Sequence, residues 1–348
     1  MRNYRMPAEW EPHLTTYLVW PHNLDTWPGK FEPVQRAYAK MAAAIAQFEP
    51  ICVLVKSADE IDPVKALLRT AVSNPELMKR VEIIVEPTND SWIRDHGPIF
   101  VNKLSGDGPG QIALDWIFNS WGQKYGAYDL DDAIPRKLGA RFGFEVVEPG
   151  MVLEGGSIEV NGEGLLLTTE ACLLNKNRNP HLSQAAIEEY LMTYLGVTHV
   201  LWLGDGIKGD DTDGHIDDLA RFVTPHTIVT VVEDDPADAN YHLLQDNLKR
   251  LHAIHDEHRR PLRIETLPMP RPVVYDDTRL PASYANFYVA NGGVIMPTFD
   301  CEADQVAMRK LQDLFPSRRV IGVPSIDLVW GLGAVHCLTQ QHPKTPSL

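Results

Sequence analysis

The 348 residues are 44% hydrophobic and 23% charged, enough apolar material for a sizeable core, and this balance excludes a disordered or fibrous chain. Lys and Arg total 32 against 47 Asp and Glu, a formal net charge of -15. No nucleic-acid partner is therefore expected, and a negative field would instead draw in cationic ligands.

Along the chain, Met1 to Trp10 holds no apolar run, so no secretory leader is expected. No stretch reaches the ~18 apolar residues of a membrane span. Residues 33–48 place Val34, Tyr38, Met41, Ile45 and Phe48 at helical spacing. A strand over Ile51–Val55, a helix over Ile61–Val72 and a strand over Val81–Val85 follow. Strands are expected at Val152–Val160, Gly164–Thr169 and His199–Leu203, with a helix over Leu182–Tyr194. The pattern continues with a strand at Thr227–Val232 and a helix over Ala237–Ile254. Later come strands at Asn286–Ala290 and Val294–Pro297, a helix over Glu302–Phe315, and strands at Arg319–Val323 and Ala334–Leu338. The chain thus reads as mixed α/β with a loose recurrence of strand and helix units and no linker. Length alone sets a prior of about two domains. Cys52, Cys172, Cys301 and Cys337 lie far apart without a CxxC pair, which suits reduced thiols in a cytoplasmic setting.

Four segments carry more polar and aromatic groups than a loop requires. They are Asn89–Pro98, Glu154-Gly155-Gly156-Ser157, Asp210–Asp218 and Gly331–Cys337. Singly, each has an ordinary explanation: turn and cap residues at Asp90 and Ser91, a tight bend at Gly155-Gly156, a solvated acidic loop, a small buried Cys337. A calcium loop aligned on Gly214 fails at both ends, because Gly209 and Ala220 stand where acidic ligands belong. Asp213, His215 and Asp217 alternate, but no second His or Cys lies at ligand spacing, so no metal is expected. Gly331 and Gly333 begin a dinucleotide fingerprint that His336 breaks. What remains is a Cys, a His, several Asp and a Glu. Carboxylates accept the paired N–H groups of a guanidinium, a thiolate can attack its weakly electrophilic carbon, and a His can protonate departing ammonia.

Together the segments resemble the agmatine deiminase family, related to bacterial peptidylarginine deiminases and to the wider guanidino-group-modifying enzymes. The matching stretches are Met6–His13, Trp92–Pro98, Phe118–Gly122, Glu154–Ser157, Leu174–Pro180, Asp211–Asp217, Ser283–Tyr288 and His336–Gln341. The resemblance implies one domain, 1–348, with a five-bladed α/β propeller (pentein) around a central active site. It implies Cys337 as nucleophile, His215 as general acid/base, Asp95 and Asp217 as the guanidinium grip, Glu154 as the carboxylate that supports the guanidinium and His215, and Trp92 and Trp121 as pocket walls. No cofactor and no metal are implied, and a homo-oligomer is the expectation. One departure stands out. The family usually has Gly-Gly-Gly-Asn before Ile-His-Cys, whereas this chain has Gly331-Leu332-Gly333-Ala334-Val335 before His336-Cys337.

Agmatine is the first expected substrate, giving N-carbamoylputrescine and ammonia, with a place in putrescine and polyamine biosynthesis. The alternative is C-terminal or free arginine, giving citrulline. An arginine carboxylate calls for a positioned cation, and between Asp95 and Trp121 the sequence offers only Lys103. A third reading is a silent binding module that keeps the pocket without turnover.

Overall fold

The strand pattern of one sheet recurs around the fold. The protein was analysed as a computed structural model that describes residues 3–104, 110–255 and 260–345. Ile51–Val55 is an unbroken, fully buried apolar run, as expected of a strand paired on both edges. It runs parallel to His13–Val19, which pairs antiparallel with the C-terminal strand Gln340–Pro343. The helix Phe31–Ala46 fills the parallel crossover.

The same triplet, antiparallel then parallel with helix in the second connection, recurs four more times among the described residues. It appears in Ile99–Lys103, Gly110–Leu114 and Glu145–Val147, crossed by Ile134–Phe142. It appears in Glu159–Val160, Leu165–Thr169 and His199–Leu203, crossed by Gln184–Leu195. Ala220–Thr224, Thr227–Val232 and Arg263–Pro268, crossed by Tyr241–Ala253, form the fourth. Tyr288–Ala290, Gly293–Thr298 and Arg319–Pro324, crossed by Glu302–Leu314, form the fifth. Val81–Val85 extends the first sheet and Tyr4–Arg5 the second. The expected α/β alternation is therefore present as five separate small sheets.

Most expected elements stand within a few residues of their places, and two do not. Of the strand expected over Val152–Val160, only Glu159–Val160 forms a strand, because Gly155–Ser157 turns into a short 3-10 segment, while Val152 makes an isolated bridge with Ile117. Ala334–Leu338 is not a strand either. Its apolar side chains are buried, but its backbone turns: the His336 amide donates to the Asn286 carbonyl and the Thr339 amide to the His336 carbonyl. The strand begins at Gln340 instead. The strands His13–Val19, Ile99–Lys103 and Ala220–Thr224 were not expected, and the last holds Arg221 fully inside the protein. A small hairpin, Val274–Tyr275 with Thr278–Arg279, turns through Asp276 and Asp277 at positive φ, as a tight two-residue turn requires.

Candidate active site

The five triplets deliver polar side chains from one equivalent place. Asp95, Glu154, His215, Asp217, Asn286 and Cys337 each sit within five residues of the start of a triplet's first strand. Five separate loops therefore bring these groups together, although they span most of the chain. Asp95, Trp92, Trp121 and Cys337 line a cleft of about 930 Å³.

Asp95 sits at the end of the cleft. Its Oδ2 accepts the Trp121 indole N–H at 3.0 Å and its Oδ1 accepts the Gly156 amide at 3.0 Å. Burial pushes its pKa up to about 6, and Asp217 and Glu154 add to this while His215 opposes it. His215 Nδ1 lies 3.7 Å from Asp95 Oδ1. Burial works against a charge on His215, but Asp95, Cys172 and Asp217 outweigh it and hold the ring well above the usual imidazole value. The ring nitrogens make no closer polar contact among the described residues than Asp95 and the Cys172 thiol beside them. Gly156 makes this approach feasible: a Cβ there would lie 2.5 Å from His215 Nδ1 and 2.7 Å from Asp95 Oδ1.

Glu154 is fully buried. Its Oε1 accepts from Arg178 Nε at 2.5 Å, and Oε2 has no hydrogen-bond partner among the described residues. Arg178 also reaches Asp213 at 2.6 Å. Glu154, Cys172 and His215 offer ligand atoms within 4.8 Å of one another, the geometry a metal ion would need. The Arg178 guanidinium beside Glu154 places a fixed positive charge at that spot, which disfavours a cation there.

Cys337 lies deep in the cleft. Its Sγ receives the Asn286 side-chain N–H at 3.1 Å and stands 3.6 Å from Asp217 Oδ2. Burial, then Asp217, Asp218 and Asp95, push its pKa well up, so it rests as a thiol. Asn286 also donates to Asp218 and accepts the His336 amide at 2.9 Å, pinning the nucleophile loop. Asp217 is buried, yet its pKa is lowered, because the His336 hydrogen bond and charge outweigh burial. Its Oδ1 has no partner among the described residues.

All seven residues singled out from the sequence come together here, the two tryptophans as cleft walls. Trp92 packs on Trp27 with ring centroids 5.5 Å apart. Asn286, Arg178 and His336 were not singled out, although each lies in a segment that carried the resemblance. The altered loop keeps a glycine-like course: Leu332 adopts φ 72, in the left-handed region a glycine would take without strain. Gly333 stays indispensable, since a Cβ there would meet Trp92 at 2.4 Å.

Residues 5–343 match the family described as Porphyromonas-type peptidyl-arginine deiminase. An agmatine deiminase of Ectopseudomonas mendocina is 39% identical over 363 residues, covering 98% of this chain and 95% of that one. The solved agmatine deiminase of Enterococcus faecalis superposes with a TM-score of 0.89 at 36% identity, over 98% of this chain and 96% of that one. A cysteine-to-serine variant of the C. jejuni agmatine deiminase, solved with substrate bound, gives a TM-score of 0.89 at 32% identity over 98% and 97%.

Proposed function

This chain belongs to the Porphyromonas-type peptidyl-arginine deiminase family, and we propose that within it the protein hydrolyses agmatine to N-carbamoylputrescine and ammonia through a covalent adduct on Cys337. It is a hydrolase of a guanidino C–N bond, consistent with putrescine and polyamine biosynthesis.

The charge of the cleft carries the choice of substrate. Asp25, Asp90, Asp95, Asp131, Asp211 and Asp276 line it, and among the described lining residues Lys56 alone is a Lys or Arg. Burial holds Asp90 and Asp211 above the usual carboxylate range and lifts Asp131 to about 8. An entering cation favours the anionic form of these groups. A dicationic amine such as agmatine fits this lining better than an arginine carrying a carboxylate.

The roles follow from chemistry and position. Asp95 and the free Oδ1 of Asp217 accept guanidinium N–H groups. The bound cation favours the Cys337 thiolate, whose proton passes to solvent as the substrate enters, and the thiolate adds to the guanidinium carbon. Protonated His215, steadied by Asp95 and flanked by Glu154, gives its proton to the departing nitrogen, so ammonia leaves and a cationic thiouronium remains on sulfur. Water then attacks, neutral His215 takes one of its protons, and the C–S bond breaks as the remaining hydroxyl proton passes to the released ammonia in solvent, which leaves the thiolate and the urea product. Trp92 and Trp121 wall the substrate from water.

The five like sheets, with the C-terminal strand closing on the N-terminal one, support a single domain over 1–348 built as a five-bladed propeller. A homo-oligomer and a cytoplasmic location belong to the same proposal. No helix among the described residues is long and apolar enough to cross a membrane.

Ammonia release from agmatine, free arginine and an arginine-ended peptide, measured side by side without added metal, tests the assignment. Turnover confined to agmatine is expected. Turnover of the peptide would overturn it and direct attention to Lys56 as the carboxylate partner.

A further inference from the structure

His336 adjoins the nucleophile but faces away from the cleft. Its Nδ1 lies 2.7 Å from Asp217 Oδ2 and its Nε2 lies 2.7 Å from Glu9 Oε2. A neutral imidazole carries one N–H and can donate to only one of two ionised acceptors. Two carboxylates at 2.7 Å on opposite ring nitrogens therefore require protons on both nitrogens, or a proton on one of the acids. The surroundings of Glu9 exclude a proton on its side. Glu9 also meets Arg221 at 2.9 Å and Arg94 at 3.5 Å, and its Oε1 accepts the Val289 amide at 2.8 Å, so it is held as an anion. Arg221 is shared with Glu159 at 2.9 Å, and Arg94 Nε faces the His336 carbonyl at 3.4 Å. On the other side, Asp217 Oδ2 faces the Cys337 sulfur, and its neighbour Asp218 takes its hydrogen bond from Asn286. His336 is 1% exposed, so no solvent competes for these bonds.

We propose that His336 is a positioning residue, doubly protonated between Glu9 and Asp217, that keeps Asp217 an anion with one oxygen tied back and the other turned to the guanidinium. This rests on the agmatine reading only for where Asp217 points. Without the imidazolium, a buried carboxylate beside Asp95, Asp218 and a thiolate would take up a proton and stop accepting from the substrate. The N-terminal segment thus takes part in the site, because Glu9 anchors the far end of the clamp.

The test is His336→Asn, whose amide can still donate to Asp217 but carries no charge. The acidic limb of kcat/KM for agmatine, which Asp95 places near 6 in wild type, is expected to move upward as Asp217 becomes the later group to ionise, with activity largely recovered above it. An equal loss at every pH with an unmoved limb would mark His336 as structural only and overturn the proposal. A second measurement needs no turnover. In 15N-histidine-labelled wild type, the His336 ring, assigned by its absence from the variant, is expected to show both nitrogens protonated at neutral pH, because each ring nitrogen faces a carboxylate oxygen at 2.7 Å. A single-proton tautomer at neutral pH overturns the proposal. A doubly protonated ring in a protein inactive on agmatine supports the clamp and removes the substrate assignment.

Discussion

Trp121 donates its indole N–H to Asp95 Oδ2 at 3.0 Å, so the cleft wall and the proposed guanidinium acceptor act as one unit. The backbone is shaped for this contact: Ser120 and Trp121 lie at φ 54 and 53, and Gly122 follows at φ 90 against the Asn177 side chain. Such strain persists only where surrounding structure fixes it.

Trp121→Phe keeps the wall and removes the donor. Asp95 sits at about 6 because burial raises it while the Trp121 hydrogen bond opposes. Losing the donor moves it higher. Guanidinium binding needs the carboxylate, so kcat/KM of wild type is expected to fall as pH drops through about 6, and the variant's limb to lie above that. A hydrogen bond to a charged group is worth about 1.5–3 kcal/mol, or roughly tenfold to a hundredfold in kcat/KM at neutral pH. Paired pH–rate profiles would expose an unmoved limb, which would sever Trp121 from Asp95 ionisation.

Cys337 rests as a thiol, because burial and the carboxylates Asp217, Asp218 and Asp95 all disfavour its anion. A neutral alkylating agent such as iodoacetamide is expected to label it slowly at pH 7.5. A haloacetamidine, which brings its own cation, is expected to react at least about tenfold faster, since a neighbouring positive charge favours thiolate. Agmatine is expected to protect, and mass spectrometry of the peptide bearing Cys337 reads both rates. Equal rates would mean the thiolate forms without substrate.

The site was legible where function concentrates in short polar runs. Trp92–Pro98, Glu154–Ser157, Asp211–Asp217 and His336–Cys337 are too polar for buried segments unless they do chemistry, and each one reaches the centre. The five-sheet arrangement was less legible. Ala220–Thr224 carries Arg221, whose charge is met by Glu159 and Glu9 from distant parts of the chain. Ala334–Leu338 has a strand's apolarity, yet its backbone is claimed by Asn286. Long-range hydrogen bonds of this kind leave no periodic trace. The repeated position ahead of each triplet would have drawn attention to Asn286, had the triplets themselves been visible.

Gly156→Ala inserts a methyl 2.5 Å from His215 Nδ1 and 2.7 Å from Asp95 Oδ1. One of the two must retreat by about an ångström, and a misplacement of that size costs about a hundredfold in rate. The loss is expected in kcat more than in KM, because the proton donor is displaced while the cleft walls are not. Gly150→Ala, where a Cβ meets nothing within 4 Å but φ is 83, provides the contrast of backbone strain away from the site. Near-normal kcat in Gly156→Ala would mean His215 works from a different position.

Arg178→Met replaces a fully buried guanidinium with an uncharged chain of similar length. It removes the partner 2.5 Å from Glu154 and the partner 2.6 Å from Asp213. Breaking a buried pair by taking one member leaves an uncompensated charge and costs about 3–5 kcal/mol. The cost has a pH signature. Burial opposes the Asp213 anion, but Asn177, Lys124 and Arg178 outweigh it and hold its pKa below the usual value. A carboxylate lowered on folding contributes stability above its unfolded pKa and loses it as pH falls through the folded value. Wild type therefore gains from this pairing at neutral pH and gives the gain up in acid. The variant has less to give up, so the stability gap measured by denaturant unfolding is expected to be widest near pH 7 and to narrow below about pH 4, the unfolded carboxylate range. A gap that stays constant across that range would mean Arg178 contributes packing alone.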